Sequence, residues 1–582
     1  MKNDNILEYT IRIGLFNDIF LFLLPLKFET IYNCADLCNF MECSKNSKTI
    51  IEKLYIGHKT FSTSTLKDWP KEKRNVVNKI IMDETFMDNH ESANANANDF
   101  NIKLKNMLPK KITKLTFSMD TLVLPINNDI FSNIFSDNLK TLDFRINYGM
   151  FWNHNSFIQH FERMMNDSGL YSFKNLTELS LHNTFDQTLS KIIFPENLTS
   201  LRFGKNFNQD LIPNTLPANL TFLEFGESFN KPLLKNVLPN SLVRLIFGRF
   251  FNQPLHENEL PKRITYLEFG CCFNQQLLEN VLPKGITYLV FGKYFVQELQ
   301  QNVLPNALSH LDFGAGYYKK LHNIILPKNL TYIRFNDHFD EQINGNDLPK
   351  GLKRLTFGYF YNKSLLYNNL PSTLTYLQFG CNFDQTINNI MFLENLKYLK
   401  FGYHFNQIIN EDTLPINLTR LKFGNSFNQI LNKNTFPENL THLTLGDQFK
   451  QKVNKDLFPK NLVKLTFGNM FYQQIPINTF SEKLTSLKFG NRHDGTNFYE
   501  QQLNNDILPK NLKILRLNIY NNTFKNLIPE DLISPIDTGP LWKQLEIILN
   551  KNMNMFPKTL ILIEITCFYT CKTFKRMKRF EC

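Results

Sequence analysis

The sequence lacks the motifs that usually announce chemistry. No phosphate-binding glycine loop, nucleophile elbow, HExxH pair or dinucleotide fingerprint occurs along its 582 residues. The twelve histidines are scattered. The nine cysteines build no disulfide framework. Cys34, Cys38 and Cys43 have no partner pairs, Cys271 and Cys272 are adjacent, and no tight CxxC pairs suggest zinc. These absences argue against an enzyme, a metal site or a cofactor. The thiols suit a reducing, intracellular compartment, with the cytoplasm the expected location.

Long apolar runs are missing as well. The strongest, Ile19–Leu26, directly follows Asn17 and Asp18. It is too short to span a bilayer and poorly flanked for a secretory signal. The net charge of +12 is spread widely rather than gathered in a block. The exception is the tail Lys572–Arg579, read as a solvated basic end. Neither a membrane nor a nucleic acid is therefore an expected partner.

What the sequence has instead is a repeat. Pro195, Pro217, Pro239, Pro261, Pro283, Pro305, Pro327, Pro349, Pro371, Pro415, Pro437 and Pro459 lie on one 22-residue grid. Leu393 and Ser481 fill the grid points where proline is missing, and no insertion interrupts the run between Pro195 and Ser481. A register kept so strictly means that each unit stacks on a near-copy of itself, as in a solenoid. Such folds serve mainly for binding.

One unit can be built from its composition. Leu220, Leu223 and Phe225 recur as fixed apolar positions, and Leu223-x-Phe225 alternates as a strand does. Twenty-two residues hold one strand, a turn and an irregular return path, but no strand plus full helix. Gly226 and its equivalents Gly204, Gly248, Gly270, Gly358, Gly380 and Gly402 follow the strand, where a positive φ is expected. Proline, with fixed φ and no N–H, belongs to the return segment. Stacking the units gives a parallel sheet with about 4.8 Å per coil, or on the order of 65 Å in all. Leu220, Leu223, Phe225, Phe229 and Leu233 mark five core columns, one of them a file of Phe203, Phe225, Phe247, Phe269 and Phe291.

The frame L-x-x-L-x-F is similar to the core of leucine-rich repeats, which implies a horseshoe-like parallel β solenoid. More closely, the LP opening with the F-N-Q element resembles the FNIP repeats of amoebae and of the giant viruses that infect them, over roughly residues 170–520. The asparagine of leucine-rich repeats would fall at Asn206, Ser228, Phe250, Cys272 and Tyr294, where it survives once. Asparagine stands two places later instead, at Asn208, Asn230, Asn252, Asn274, Asn406 and Asn428. An amide ladder that satisfies backbone groups is the reading of that column, with an exposed turn as the alternative. N-L-T sequons at Asn197, Asn219, Asn329, Asn417 and Asn439 follow from the repeat.

Degenerate units flank the array: Pro109 with Ile112, Leu115 and Phe117; Leu139, Leu142 and Phe144; Leu176, Leu179 and Leu181; Pro509 with Leu512, Leu515 and Leu517; and Pro557 with Leu560, Ile563 and Ile565. Helical spacing is expected in Ser156–Asn166 and Leu541–Leu549. Ahead of the array, Leu15-x-x-Asp18-Ile19-x-x-x-Leu23-x-Pro25, then a helical stretch Glu29–Met41 with Leu37-Cys38-Asn39-Phe40, resembles an F-box. Phe16 stands where that family has proline. The resemblance implies that Leu15, Asp18, Ile19, Leu23, Pro25, Leu37 and Phe40 bind the Skp-type adaptor of a cullin ubiquitin ligase.

The expected chain is α+β overall: an F-box-like helical module at 10–55, a connecting helix and Asn/Ala-rich linker at 56–107, and degenerate repeats with an N-terminal cap at 108–190. The repeat solenoid follows at 191–520, and a degenerate repeat, cap and basic tail close the chain at 521–582.

The columns on either side of the strand leucine are free to vary and face away from the core, towards the expected concave wall. One column reads Phe222, Arg244, Tyr266, Tyr288, His310, Tyr332, Arg354, Tyr376, Tyr398 and Arg420, residue types enriched at binding hot spots. The other holds Glu224, Glu268 and Asp312 in its first half and Lys400, Lys422 and Lys488 in its second. A partner protein is expected on this face, although stacking between neighbouring strands alone also accounts for the tyrosines. The function implied is that of a substrate-recognition subunit of an SCF-type ubiquitin ligase, with a plain repeat scaffold as the alternative. Nucleic-acid binding is opposed by the acidic half.

Overall fold

A computed structural model describes residues 61–62, 79–82, 112–117, 138–144, 170, 173–321, 324–365, 369–490, 507–518, 562–567 and 570–575. The F-box-like module at 10–55, the helical stretches Glu29–Met41, Ser156–Asn166 and Leu541–Leu549, and the Asn/Ala-rich segment lie outside the described residues. The chain divides into two compact units, one of residues 1–207 with 215–220 and the other of residues 208–214 with 221–582.

In the first unit six strands pair in parallel and in chain order: β1 (Phe61–Ser62), β2 (Lys79–Met82), β3 (Lys114–Phe117), β4 (Thr141–Asp143), β5 (Glu178–Ser180) and β6 (Ser200–Arg202). The degenerate frames at Leu115, Leu142 and Leu179 are thus real coils, with these leucines buried and paired Leu115↔Leu142↔Leu179↔Leu201. Strands β1 and β2 fall inside the stretch expected to be a connecting helix and linker. The run Lys79-Ile80-Ile81-Met82 is short and β-branched, which favours a pleated strand over a helix.

The second unit opens with thirteen strands of three residues each at 22-residue intervals: β7 (Phe222–Glu224), β8 (Arg244–Ile246), β9 (Tyr266–Glu268), β10 (Tyr288–Val290), β11 (His310–Asp312), β12 (Tyr332–Arg334), β13 (Arg354–Thr356), β14 (Tyr376–Gln378), β15 (Tyr398–Lys400), β16 (Arg420–Lys422), β17 (His442–Thr444), β18 (Lys464–Thr466) and β19 (Ser486–Lys488). All pair in parallel without a slip, for example Leu289↔Leu311↔Ile333. The register survives the longer sequence spacing after β19, because Leu487 faces Leu515 in β20 (Ile514–Asn518). Ile563 follows in β21 (Leu562–Cys567), as its degenerate frame requires. β22 (Thr570–Lys575), where the basic tail begins, runs antiparallel to β21.

The core is the set of fixed columns. Leu220, Leu223, Phe225, Phe229 and Leu233 are each at most 3% exposed. The strand is one residue shorter than its sequence pattern, since Phe225 follows β7, but its N–H still reaches the carbonyl of Ile246 at 2.9 Å. Within a coil the two phenylalanines stack, as with Phe225 and Phe229 at 3.9 Å. Between coils each lies over its own copy, Phe225 on Phe247 at 5.8 Å and Phe229 on Phe251 at 6.0 Å. A buried phenylalanine contributes roughly 2–3 kcal/mol, so each added coil brings its own core.

The post-strand glycine is required for a different reason from the one expected. Gly204, Gly248, Gly270, Gly358, Gly380 and Gly402 do not carry a positive φ. A Cβ on Gly270 would instead overlap the carbonyl oxygen of Gly248, and one on Gly380 that of Gly358. The coils approach so closely here that only hydrogen fits. The left-handed backbone occurs elsewhere, at Asn214, Asn236, Asn258, Asn280, Asn302, Asp412, Asn434, Asp456 and Asn478, three residues before each proline grid point. Asparagine and aspartate tolerate that conformation better than other residues with side chains.

Candidate functional site

Three sets of polar side chains tie coil to coil and so fix the height of each strand. In the first, the Oδ1 atoms of Asn208, Asn230, Asn252 and Asn274 accept the backbone N–H groups of Asn230, Asn252, Asn274 and Val296 at 2.9–3.0 Å. The run resumes at Asp340, whose carboxylate accepts the N–H of Asn362, and continues through Asn362, Asp384, Asn406 and Asn428 to the N–H of Lys450. The expected ladder therefore exists, and aspartate serves in it because only an acceptor is needed. Each following glutamine adds a second tie, as Gln253 does by donating Nε2 to the carbonyl and Oδ1 of Asn230.

The other two sets were hidden inside the sequons. Asn197, Asn219, Asn329, Asn417 and Asn439 donate Nδ2 to the carbonyls of Lys174, Glu196, Asn306, Glu394 and Ile416, one coil back. Thr199, Thr331, Thr419 and Thr441 donate Oγ1 to Thr177, Ser309, Lys397 and Thr419. The recurring N-L-T is thus a structural element of the coil.

With the coils so fixed, the column beside the strand leucine forms one file across β7–β15. Arg244 lies over Phe222 at 5.4 Å and over Tyr266 at 4.0 Å. Tyr266 stacks on Tyr288 at 4.6 Å, Tyr288 on His310 at 5.1 Å, and His310 on Tyr332 at 5.5 Å. Arg354 is held between Tyr332 and Tyr376, and Tyr376 stacks on Tyr398 at 4.5 Å. Every ring from Tyr266 to Tyr376 has a neighbour on each face, so the file presents ring edges and hydroxyls outward. The tyrosines of the file are half-buried, whereas Arg244, Arg354 and Arg420 are exposed. The structure thus brings Phe222 through Tyr398 together and leaves Arg420 beyond the last stacked ring.

The neighbouring column pins this file and carries the charge. Tyr266 Oη donates to Glu268 at 2.6 Å and Tyr376 Oη to Gln378 at 2.8 Å. Burial first, and then that bond to Glu268, push the Tyr266 hydroxyl above the usual tyrosine range. Asp312 accepts from Asn336 Nδ2 at 2.8 Å and faces Arg334 at 3.5 Å. Burial nevertheless raises its carboxyl to about 6, against the opposing pull of Arg334 and Asn336. Burial also lowers His310 and His442, with Arg354 acting on the first and Arg420 and Lys464 on the second. Among the described residues no cluster of histidine, cysteine, aspartate or glutamate could hold a metal ion, and no helix is long and apolar enough to cross a membrane.

In the second unit the stack of near-identical coils, its parallel pairing from β7 to β19 and its variable outer face define a repeat solenoid of the leucine-rich kind. The FNIP repeat family matches at residues 174–206, 207–250, 251–284, 273–316, 317–360, 339–382, 361–393, 383–426 and 427–470, just over half of the chain. The chain belongs to the FNIP repeat family. It is similar to CroV588, described as a novel circular LRR protein, with 28% identity, a TM-score of 0.55, and 88% of this chain and 81% of that chain covered. It also matches the internalin InlF of Listeria monocytogenes strain 4b F2365, with 19% identity, a TM-score of 0.31, and 56% of this chain and 83% of that chain covered. No curated protein matches it. The matched family is a repeat family, and no catalytic family is indicated.

Proposed function

We propose that this chain captures a protein partner on the outer face of its sheet and takes no part in chemistry itself. The observation that carries this reading is the unbroken file from Phe222 to Tyr398, half-exposed across nine strands and held rigid by stacking on both sides. Rigid aromatic and arginine side chains lose little conformational entropy on binding, which is why they dominate interface energetics. Exchanging Tyr288, Tyr332 and Tyr376 together for Ser tests it. The expected result is loss of partner capture in affinity purification, with the sheet retained by circular dichroism, because the strand leucines remain buried. Undiminished capture by the triple variant would refute the reading.

The finer function is that of a substrate-recognition subunit of an SCF-type ubiquitin ligase. It rests on the F-box resemblance at Leu15, Asp18, Ile19, Leu23, Pro25, Leu37 and Phe40. An adaptor site joined to a capture surface raises the effective concentration of the captured protein at the ligase. Purified Skp-type adaptor should co-elute with the full chain and fail to do so after Leu15→Asp with Leu23→Asp. Absence of co-elution by the unaltered chain would leave a plain scaffold.

A further inference from the structure

The outer face divides into two chemically different halves. Across β7–β14 its charges find partners within the face. Arg244 and Arg354 are each sandwiched between rings, Arg334 faces Asp312, and Glu268 accepts from Tyr266. From β15 to β19 the two outward columns contain Tyr398, Lys400, Arg420, Lys422, His442, Thr444, Lys464, Thr466, Ser486 and Lys488, with no acidic residue. Arg516 in β20 extends the strip. Among the described residues no ion pair within 4.0 Å involves Lys400, Arg420, Lys422, Lys464 or Lys488.

These cations act on one another. Burial lowers Lys400 and Lys464, and the next causes are Lys422 for the first and Arg516, Lys488 and Arg420 for the second. From Lys400 to Lys488 like charges stand at heights fixed by sheet register with no acidic residue in either column, and they set up a field that an anionic partner relieves.

We propose that this strip, from Lys400 to Lys488, is the docking site of an acidic polypeptide segment lying along the strand stack; this rests on the capture function proposed above. Two features favour a polypeptide over a single-stranded nucleic acid. Sequence-tolerant nucleic-acid binding uses free aromatic faces on which bases stack. Here the ring at the strip's edge, Tyr398, stacks on Tyr376 and has Arg420 as its neighbour on the next strand, and Tyr376 has both faces occupied. The strip is also short. Four coil steps at about 4.8 Å span roughly 19 Å, the length of about six extended residues.

The test uses the full chain and a fluorescein-labelled oligoglutamate peptide of roughly six to eight residues, matched to that span. Fluorescence anisotropy should show saturable binding that weakens steeply as salt is raised. The variant Lys400→Glu with Lys422→Glu and Lys488→Glu should weaken it by at least about tenfold, as loss of several charge contacts requires. Charge reversal in the other half, Arg334→Glu, should leave it within about twofold, since that site lies three or more coil steps of about 4.8 Å from Lys400. Competition by an oligothymidylate of equal charge at lower concentration than oligoglutamate would overturn the proposal in favour of nucleic acid. No binding, or binding indifferent to the triple reversal, would overturn it outright. The tyrosine triple variant reads a different part of the face. Partner capture undiminished there while oligoglutamate still binds refutes the capture function alone, and capture lost there with no oligoglutamate binding by the unaltered chain refutes only the acidic partner.

Discussion

The side-chain oxygen of Asn230 accepts the backbone N–H of Asn252 at 2.9 Å, one coil further along the sequence. The same atom also receives Nε2 of Gln253. One amide therefore serves two donors of the next coil, and its removal strands both.

Asn252 occupies the same position one coil on, serving Asn274 and Gln275. Asn252→Ala is expected to cost about 1–3 kcal/mol, the penalty for leaving donors without an acceptor. Asn252→Asp should cost less than about 1 kcal/mol, because Asp384 already fills this role for Asn406 and Gln407. Urea unfolding of both variants checks the order. Equal losses would mean that the donated N–H, and not the acceptor, is what matters.

Gly380 and Gly351 separate two uses of glycine. A Cβ at Gly380 meets the backbone of Gly358, so Gly380→Ala should cost at least about 3 kcal/mol by forcing coils apart. At Gly351 the nearest atom to a Cβ is the carbonyl oxygen of Lys328, at 3.5 Å. Gly351 stands where other coils have Asn329 or Asn417, which donate to that equivalent carbonyl. Gly351→Asn should therefore stabilise by about 1 kcal/mol through a new tie and a less flexible unfolded chain. Thermal melting of the two variants should move in opposite directions.

Tyr317 and Tyr361 take the place of phenylalanine in the second ring column, and their hydroxyls are buried without a hydrogen-bond partner among the described residues. Each still stacks in register, Tyr361 on Phe383 at 6.2 Å. Tyr361→Phe and Tyr317→Phe should each raise stability by about 1 kcal/mol, since a desolvated hydroxyl is removed and the ring stays. A lower melting temperature in either variant would refute this.

Asp312 makes stability depend on pH in an unusual direction. Its carboxyl titrates at about 6 when folded and near 3.9 when unfolded. Between those values the folded chain holds the extra proton. The contribution of this group is then fully present below about 4 and is lost as pH rises through about 6. Asp312→Asn should erase that slope, so the stability difference between variant and parent should change between about pH 4 and 6 in the variant's favour. A constant difference across that window would contradict it.

Much of this architecture can be read directly from the chain. The spacing of Leu223 and Phe225 fixed strand, register and core, because every coil repeats the same burial problem. The asparagine ladder is legible at Asn208, Asn230 and Asn252, whereas Asp340 and Asp384 are not, because a column of asparagines suggests an amide where only an acceptor is needed. Gly270 is ambiguous in sequence for a physical reason: positive φ and lack of space both demand a missing side chain, and a sequence cannot tell them apart. The true left-handed column was visible as Asn214, Asn236 and Asn258. The alternation of Tyr266 and Tyr288 with buried Leu267 and Leu289 is legible, yet only the distances reveal that Arg244 and Arg354 close ring faces of the file.

The acceptor ladder is interrupted. Val296 accepts nothing in return, and among the described residues no ladder bond joins Tyr318 or Asp340 to the coil before it. Sheet bonds, ring stacking as at Phe295 over Tyr317, and the sequon ties of Asn329 and Thr331 continue there, but the acceptor tie is missing. Regarded as a spring wound from near-identical turns, the described part of the second unit carries a more compliant length between two stiffer ones. Strain applied along the stack would gather at that length, and amide exchange around residues 296–340 should report it as the first place to open.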